Sequence, residues 1–564
     1  MLHRKLLFFL TGLTLALCGC QDEFLQLPIS SATNVDSVFS TTIKAQSAIA
    51  EAYQKNLSQG LPYQGFWNSM IHENLTGGLN FGFAWTISNG IIQTGMNATG
   101  SSQDMDGFGF NYTAIRQALL VKENIDRVRD MSSADKAIVK AEMNALVAYR
   151  YGQMLTIWGG VPMVSRSFLA TEDLNVPRSS VAQVLDSVVT WCDQAATVLP
   201  SRWPDTFSGR MTKAGALAIK AKAQLYAARP LFNTGQPYLA FGANNSLICL
   251  GSADPTRWTK AAQAAEAVIA EAEGKGGFKL INTGNPLEDY GTATAKPGND
   301  EVILAYKANN SWQMNTFYNA HNWQAYGNVL LTSQLENYYR QDGTNQTWPA
   351  VGASLPFSDY LTKMNQMEAR FKASFQPWQM DSWGNPGDNT WSNQTMFQWE
   401  TFGCARSTKF YYKAGSRGWF EFPIFRVAAA YLSAAEAYNE AGQTALALER
   451  LNKVHVRAGL PAVTASNQAT LRAIIQREWA IEFFSENYRL QDMKHWRLSN
   501  IGQGIIGGPI RAFTYNDGKG AKLTGNTNFQ DYVWYQGFWS PNQYLNPFPQ
   551  TEVNKGIITQ NPGY

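Results

Sequence analysis

The sequence predicts a mainly α fold, a scaffold of tetratricopeptide-like helix pairs that carries long, irregular loops rich in aromatic residues. Two blocks with helical periodicity and many alanines, at about 41–273 and 424–497, support the first half of that reading. Between them, at about 274–422, the helical period lapses, and seven of the 18 tryptophans gather between residues 310 and 402: Trp312, Trp323, Trp348, Trp378, Trp383, Trp391 and Trp399. A loop region of that length in a compact chain is usually functional.

In chain order, the first twenty residues read as an export signal. His3, Arg4 and Lys5 precede an apolar run from Leu6 to Leu17, which is too short for an ordinary membrane-spanning helix. Leu17-Cys18-Gly19-Cys20 then resembles a lipobox, with Cys20 as the residue to be acylated and left at the new N-terminus. Several acyl chains on one residue give stable anchoring. Gln21-Asp22-Glu23 resembles an acidic surface-export tag. The plainer alternative is secretory cleavage near Cys20. The expected division is a signal peptide at 1–19, a tether at 20–40 and a body at 41–564.

Thr41 to Leu57 follows a helical period, with Ile43, Ile49, Ala52 and Tyr53 as core candidates. Leu61 to Gly109, full of Gly, Asn and aromatics, reads as an elaborate loop. Helices resume at about Tyr112–Met131 and Ala134–Ile157, the latter capped by Ser132 or Ser133 and stopped by Gly159-Gly160 before Pro162. Three more are expected at roughly 180–199, 212–229 and 256–273. Alanines such as Ala214, Ala218 and Ala221 let helices approach closely, an ingredient of solenoids. In 274–422, Val302-Ile303-Leu304 reads as a short strand and Val329–Arg340 as a helix.

The second block opens at Ile424. Phe425, Ala428, Ala429, Leu432 and Ala435 share one face, yet Ala430, Tyr431, Ala434 and Ala437 make the other faces small or apolar too. Such a helix must be packed on more than one side. Gly442 stops it. Thr444 is the expected cap of the next helix, whose buried row is Ala447, Leu448, Leu451, Val454 and Ala458. A third helix begins near Leu471, and 498–564 forms a tail.

The stretches FRVAAAYLSAAEAYNEAG, LNKVHVRAGL, REWAIEFFSENYRLQDMKHW and NPFPQTEVNKGIITQNPGY, in that order, resemble the SusD/RagB family. LVAYRYGQMLTIWGGVPMV and GRMTKAGALAIKAKAQLYAA extend the resemblance upstream, so it covers most of the chain. It implies a SusD-like fold with four tetratricopeptide-like pairs in a right-handed scaffold. It also implies an outer-membrane nutrient-binding lipoprotein that faces the cell exterior and serves a SusC-like TonB-dependent transporter.

Composition fits uncharged ligands. Charged residues are 16% of the chain, against about 25% in an average soluble domain. The formal charge is +3, two of which (Arg4 and Lys5) lie in the leader, so nothing suggests nucleic acid. Cys192, Cys249 and Cys404 are odd in number and far apart, and read as buried free thiols.

Catalytic motifs are sparse: no GxSxG, HExxH, GxxxxGK[ST] or strand-to-helix GxGxxG occurs. Glu478 and Glu482 lie one turn apart on a helix, as glycosidase carboxylates could. Arg426, Arg457, Arg477 and Arg489 in the same block favour a charge-paired helix junction instead. Asp104 and Asp106 could take calcium, but the spaced oxygen ligands of a known calcium loop are missing. No other metal and no cofactor is expected.

Sugars present flat C–H patches beside hydroxyls, which an aromatic face and a neighbouring amide can cover together. Trp85 with Asn89 and Gln93 is one such set in the first loop. Tyr306, Asn309, Trp312, Asn322 and Trp323 form another. The resemblance places a glycan platform in these same two regions, without a strict motif for individual residues. The competing role for each aromatic is filler under long loops, which suits Trp158, Trp191, Trp258, Trp479 and Trp496 at helices. The leading expectation is a non-catalytic oligosaccharide-binding lipoprotein. The alternatives are a surface glycoside hydrolase using loop carboxylates such as Asp381 and Asp388, and a peptide binder.

Overall fold

The computed structural model describes residues 35–58, 71–80, 87–99, 107–168, 171–172, 175–308, 329–383, 403–410, 420–465, 467–498, 507–515 and 528–564. Helices packed one on the next build its spine. Helix α1 (Thr42–Ser58) packs on α4 (Phe108–Asn124), with α2 (Ile71–Leu75) and α3 (Ile87–Thr94) between them in sequence. Helix α4 packs on α5 (Ser133–Trp158), α5 on α6 (Val181–Val198), α6 on α7 (Lys213–Ala228) and α7 on α8 (Thr256–Glu271).

The starts follow from capping. Ser132 accepts from the Asp135 amide, and Ser180 forms a reciprocal box with Gln183. Thr212 accepts from the Gly215 amide at the head of α7.

Short helices follow in the middle region, among them α9 (Pro286–Ala295), α10 (Phe357–Asn365) and α11 (Ala369–Ser374). The second block then begins with α12 (Val427–Glu440) and continues with α13 (Thr444–Arg457), α14 (Gln468–Glu482) and α15 (Arg489–His495). Helix α12 is buried on nearly every side because it touches α8, α13 and α14. The α8–α12 contact joins the two blocks, and one continuous core holds Ala221, Val268, Ala429, Leu432, Leu451 and Trp479 together. Trp158 and Trp496 are buried in it, and Trp191 and Trp258 pack against it, as their helical positions predict. The three cysteines are free and buried.

Strands supply what the helices lack. Strands β1 (Leu79–Asn80), β3 (Val329–Leu330), β6 (Ala405–Ser407) and β5 (Phe375–Pro377) form one sheet in that order. Strand β2 (Val302–Ala308) pairs with β7 (Phe420–Arg426). Strand β4 (Ser354–Pro356) joins the tail hairpin β8 (Pro509–Tyr515) and β9 (Asn528–Gln536).

Several expectations need correction. Ile43 is 80% exposed, because the buried stripe of α1 runs through Ala45, Ala48, Ile49 and Ala52 and leaves residue 43 on the opposite side. The stretch 61–109 contains α2 and α3, too short to show a period. Val329–Arg340 is not one helix: Val329 and Leu330 are claimed by strand pairing, and only Thr332–Leu335 is helical. Ile424–Arg426 ends a strand rather than starting a helix, since Pro423 favours extended backbone before it and β2 supplies a partner. Helix α13 begins at Thr444 itself, with Gln443 before it and no side-chain cap. The middle region is more regular than expected. Asn285-Pro286 with Glu288 and Asp289 in the first turn was a legible start signal for α9.

Candidate ligand-binding site

The strands place the stems of the aromatic loops together. Asn80 pairs with Val329, so the last described residue before 81–86 lies beside the first described residue after 309–328. Val329 pairs on its other side with Arg406, so β6 exits toward 411–419 at the same sheet end. The far stems meet too, because Ala308 pairs with Phe420. The described residues that flank 309–328 and 411–419 are therefore paired at both ends. Gly403 is required here: a Cβ on it would lie 2.6 Å from the Val329 Cβ and 2.7 Å from the Leu330 carbonyl oxygen.

Beneath the stems lies a buried ionic junction. Arg426 at the end of β7 donates to Glu301 at 2.7 Å, Glu482 at 2.9 Å and Glu486 at 2.8 Å. Arg457 of α13 reaches Glu482 at 2.6 Å and Glu301 at 3.2 Å. Arg370 of α11 bonds Glu368 at 2.7 Å and also pairs with Glu478, which His455 meets at 3.0 Å. Lys409, two residues past β6, donates to Glu486 at 2.8 Å and to the Tyr290 hydroxyl at 3.0 Å. On the β1 side, Glu73 of α2 accepts from the Ser485 amide at 2.8 Å. Ser485 and Asn487 hold left-handed backbone, the kind of strain that persists only where surroundings enforce it.

Electrostatics follow from this crowding. Burial works to raise Glu478 and Glu482. The guanidiniums beside them (with His455 for Glu478) overcome it and hold both carboxyls at about 2. Burial raises Glu368 and Glu73 above the ordinary range, because their cations compensate less. Burial also lowers the Lys409 ammonium to about 8, against the pull of Glu486.

Glu478 and Glu482 are therefore junction residues. Arg426 and Arg457 are partners the sequence named, while Arg477 turns to the Asn337 carbonyl and stacks on Tyr339, and Arg489 has Glu73 and Asp492 nearby. Arg370 was missed, lying 108 residues from Glu478 in the chain.

Of the sequence-predicted ligand residues, Trp85, Trp312, Asn322 and Trp323 lie outside the described residues, as do Cys20, Asp104, Asp106 and Asp388. Asn89 lies on α3, where only its backbone is described. Tyr306 departs from expectation. It is 4% exposed on β2, and its hydroxyl accepts from Gln54 Nε2 at 3.0 Å, so it packs the strand onto α1 instead of offering an open face. Trp378 and Trp383 are buried and Trp348 packs against the core, which makes these three fillers. Asp381 is exposed. Among the described residues no group of three or more His, Cys, Asp or Glu could hold a metal, and no helix is long and apolar enough to cross a membrane.

Two family models match the chain. One, described as the SusD family, matches residues 298–564; the other, described as starch-binding and associating with the outer membrane, matches 28–225. A SusD-like protein of Formosa agariphila is 25% identical over 222 residues, 39% of this chain and 41% of that relative's length. A SusD-like protein of Bacteroides fragilis superposes with a TM-score of 0.72 at 19% identity, covering 95% of this chain and 99% of the other. A SusD-like carbohydrate-binding protein from the same species gives 0.68 at 19% identity, over 93% and 99%. At such identities these two structures establish the fold.

Proposed function

We propose, since this chain belongs to the SusD family, that it is a non-catalytic, lipid-anchored protein of the outer-membrane surface. It binds oligosaccharides and passes them to a SusC-like TonB-dependent transporter. The observation that carries the reading is the Asn80–Val329 pairing. It makes the two segments richest in candidate sugar-binding aromatics neighbours at their stems, although about 250 residues separate them in the chain. Trp85 and Trp323 are the residues assigned to the apolar faces, Asn89, Trp312 and Asn322 are assigned further ligand contacts, and Cys20 is assigned as the anchor.

Affinity gels with a polysaccharide panel test the binding. The wild-type protein is retarded by at least one glycan, and Trp85→Ala and Trp323→Ala each weaken that binding by roughly 1–3 kcal/mol while the melting temperature holds. Unchanged affinity with a large fall in melting temperature would make both residues core. New reducing ends appearing in the same mixtures would instead favour the hydrolase with Asp381 and Asp388. Membrane attachment is read separately: Cys20→Ser should move the protein out of the membrane fraction, and its retention there through detergent-free washing defeats the anchor.

A further inference from the structure

The link between α6 and α7 forms one wall of a cleft, and the turn that ends α8 forms another together with residues 298–300. Val302, Ile303 and Ala305 of β2 line it as well. Its open space is about 130 Å³, close to the roughly 150 Å³ of a cavity that holds a benzene ring. Trp203 in the first wall is half-buried yet stands outside the continuous apolar core, so core filling does not explain it. Its position is fixed. The indole Nε1 donates to the Met211 carbonyl at 2.9 Å, and the Arg210 guanidinium lies 4.2 Å from the ring centroid. Arg210 is itself held by Glu142, which accepts from its Nε at 2.7 Å. At another point of the cleft Lys307 pairs with Glu421 at 2.7 Å, and the second Glu421 oxygen accepts from the Gly298 amide at 2.8 Å. Lys307 and Glu421 are partners across β2 and β7, one register step before the Ala308–Phe420 stem pair.

Two charges of the cleft are left over. Arg202 and Asp205 are exposed, and neither side chain has a hydrogen bond or ion pair among the described residues. The Arg202 head group crosses to the opposite wall: a Cβ on Gly277, whose φ is +69°, would lie 2.6 Å from its Nη1. Only glycine leaves room for that crossing. The formal charges around the cleft balance, with Arg202, Arg210 and Lys307 against Asp205, Asp300 and Glu421. A ligand of net charge gains little from such a lining. A hydroxyl both donates and accepts, so it can use a free guanidinium and a free carboxylate together. The indole beside them covers a C–H patch. We propose that this cleft binds one pyranose unit of a neutral glycan. The proposal takes its ligand class from the glycan-binding reading and adds a contact region apart from the loop aromatics. One strand step, about 3.3 Å, separates the Lys307–Glu421 pair from the stems, so one oligosaccharide can reach both.

Saturation-transfer NMR on the detergent-solubilised full-length protein tests it. The probes are the methyl glycosides of glucose, galactose, mannose and xylose, with glucuronic acid as the charged comparison. The measurement uses a Trp85→Ala/Trp323→Ala background, which removes the proposed loop contacts. There at least one neutral glycoside should show saturation of its ring protons and bind more tightly than glucuronic acid. Adding Arg202→Ala and Asp205→Ala should weaken that glycoside by at least about fivefold, the loss of two hydrogen-bonding partners. The melting temperature should hold, because both side chains are exposed and unpaired. Trp203→Ala is the second variant and should weaken the same probe several-fold. Absence of saturation in every neutral glycoside, tighter binding of glucuronic acid, or a signal indifferent to Arg202→Ala and Asp205→Ala overturns the cleft as a sugar site. The polysaccharide gels on the wild-type protein report separately. Retardation there with a silent cleft rejects this proposal alone, whereas no retardation by any polysaccharide rejects the glycan reading.

Discussion

The helical spine and the strand-bearing middle region solve the same packing problem with opposite materials. In the spine, alanines on α7, α8 and α12 bring helix axes close, and the contacts are apolar and mostly between helices adjacent in sequence. In the middle region the contacts are long-range. Short strands of two, three or seven residues are pinned by pairs such as Arg426–Glu301, Arg370–Glu478 and Lys409–Glu486. An apolar contact tolerates small slips, whereas a buried guanidinium satisfied by three carboxylates does not. The spine provides bulk stability, and the junction fixes where the loop stems begin.

Acid should break the comparison most strongly. Glu478 and Glu482 sit below the ordinary 4.5, so the stability they contribute is complete above about that pH and lost as pH falls through about 2. Glu368 and Glu73, raised by burial, run the other way and blunt the upper end of this window. Hydrogen exchange from about pH 5 down to about pH 2 should therefore loosen 301–308 and 420–426 before the α8–α12 contact. Simultaneous loosening of both would show that the junction does not act locally.

Arg426→Ala comes next. It takes one buried cation from each of Glu301, Glu482 and Glu486 and leaves Arg457, Arg370 and Lys409 to hold them, a change expected to cost about 3–5 kcal/mol in chemical denaturation. A cost under about 1 kcal/mol would mean water already reaches these carboxylates. Leu451→Ala probes the spine: Leu451 is fully buried between α13 and its neighbours, and emptying its place should cost about 2–5 kcal/mol. It should leave glycan binding alone, whereas Arg426→Ala should weaken both. Loss of binding in Leu451→Ala would make the two regions less separable than their chemistry suggests.

What the sequence made legible follows the same divide. Helices α5 to α8 and α12 to α14 were readable because their apolar period, with a cap or a stop where one is present, lies within one element. Residues such as Val329 and Ile424 were misread because their state is decided by strands far away in the chain. The role of Glu478 and Glu482 as paired charges was readable from neighbouring arginines; Arg370 was not, since no local pattern marks a partner from another helix. For the candidate site, the sequence named the two loops but not their adjacency. It also mistook Tyr306, whose alternating strand position on β2 faces α1 and Gln54.

The paired stems have a consequence for how such a molecule can change over generations. Adjacent strands hold neighbouring stems about 5 Å apart, whatever sequence runs between them. The entropy of closing a loop grows only slowly with its length, by about 0.6 kcal/mol for each doubling. The segments 309–328 and 411–419 can thus lengthen, shorten or be exchanged as cassettes while Asn80, Val329, Arg406, Ala308 and Phe420 keep their register. The paired frame stays the same whatever those segments carry.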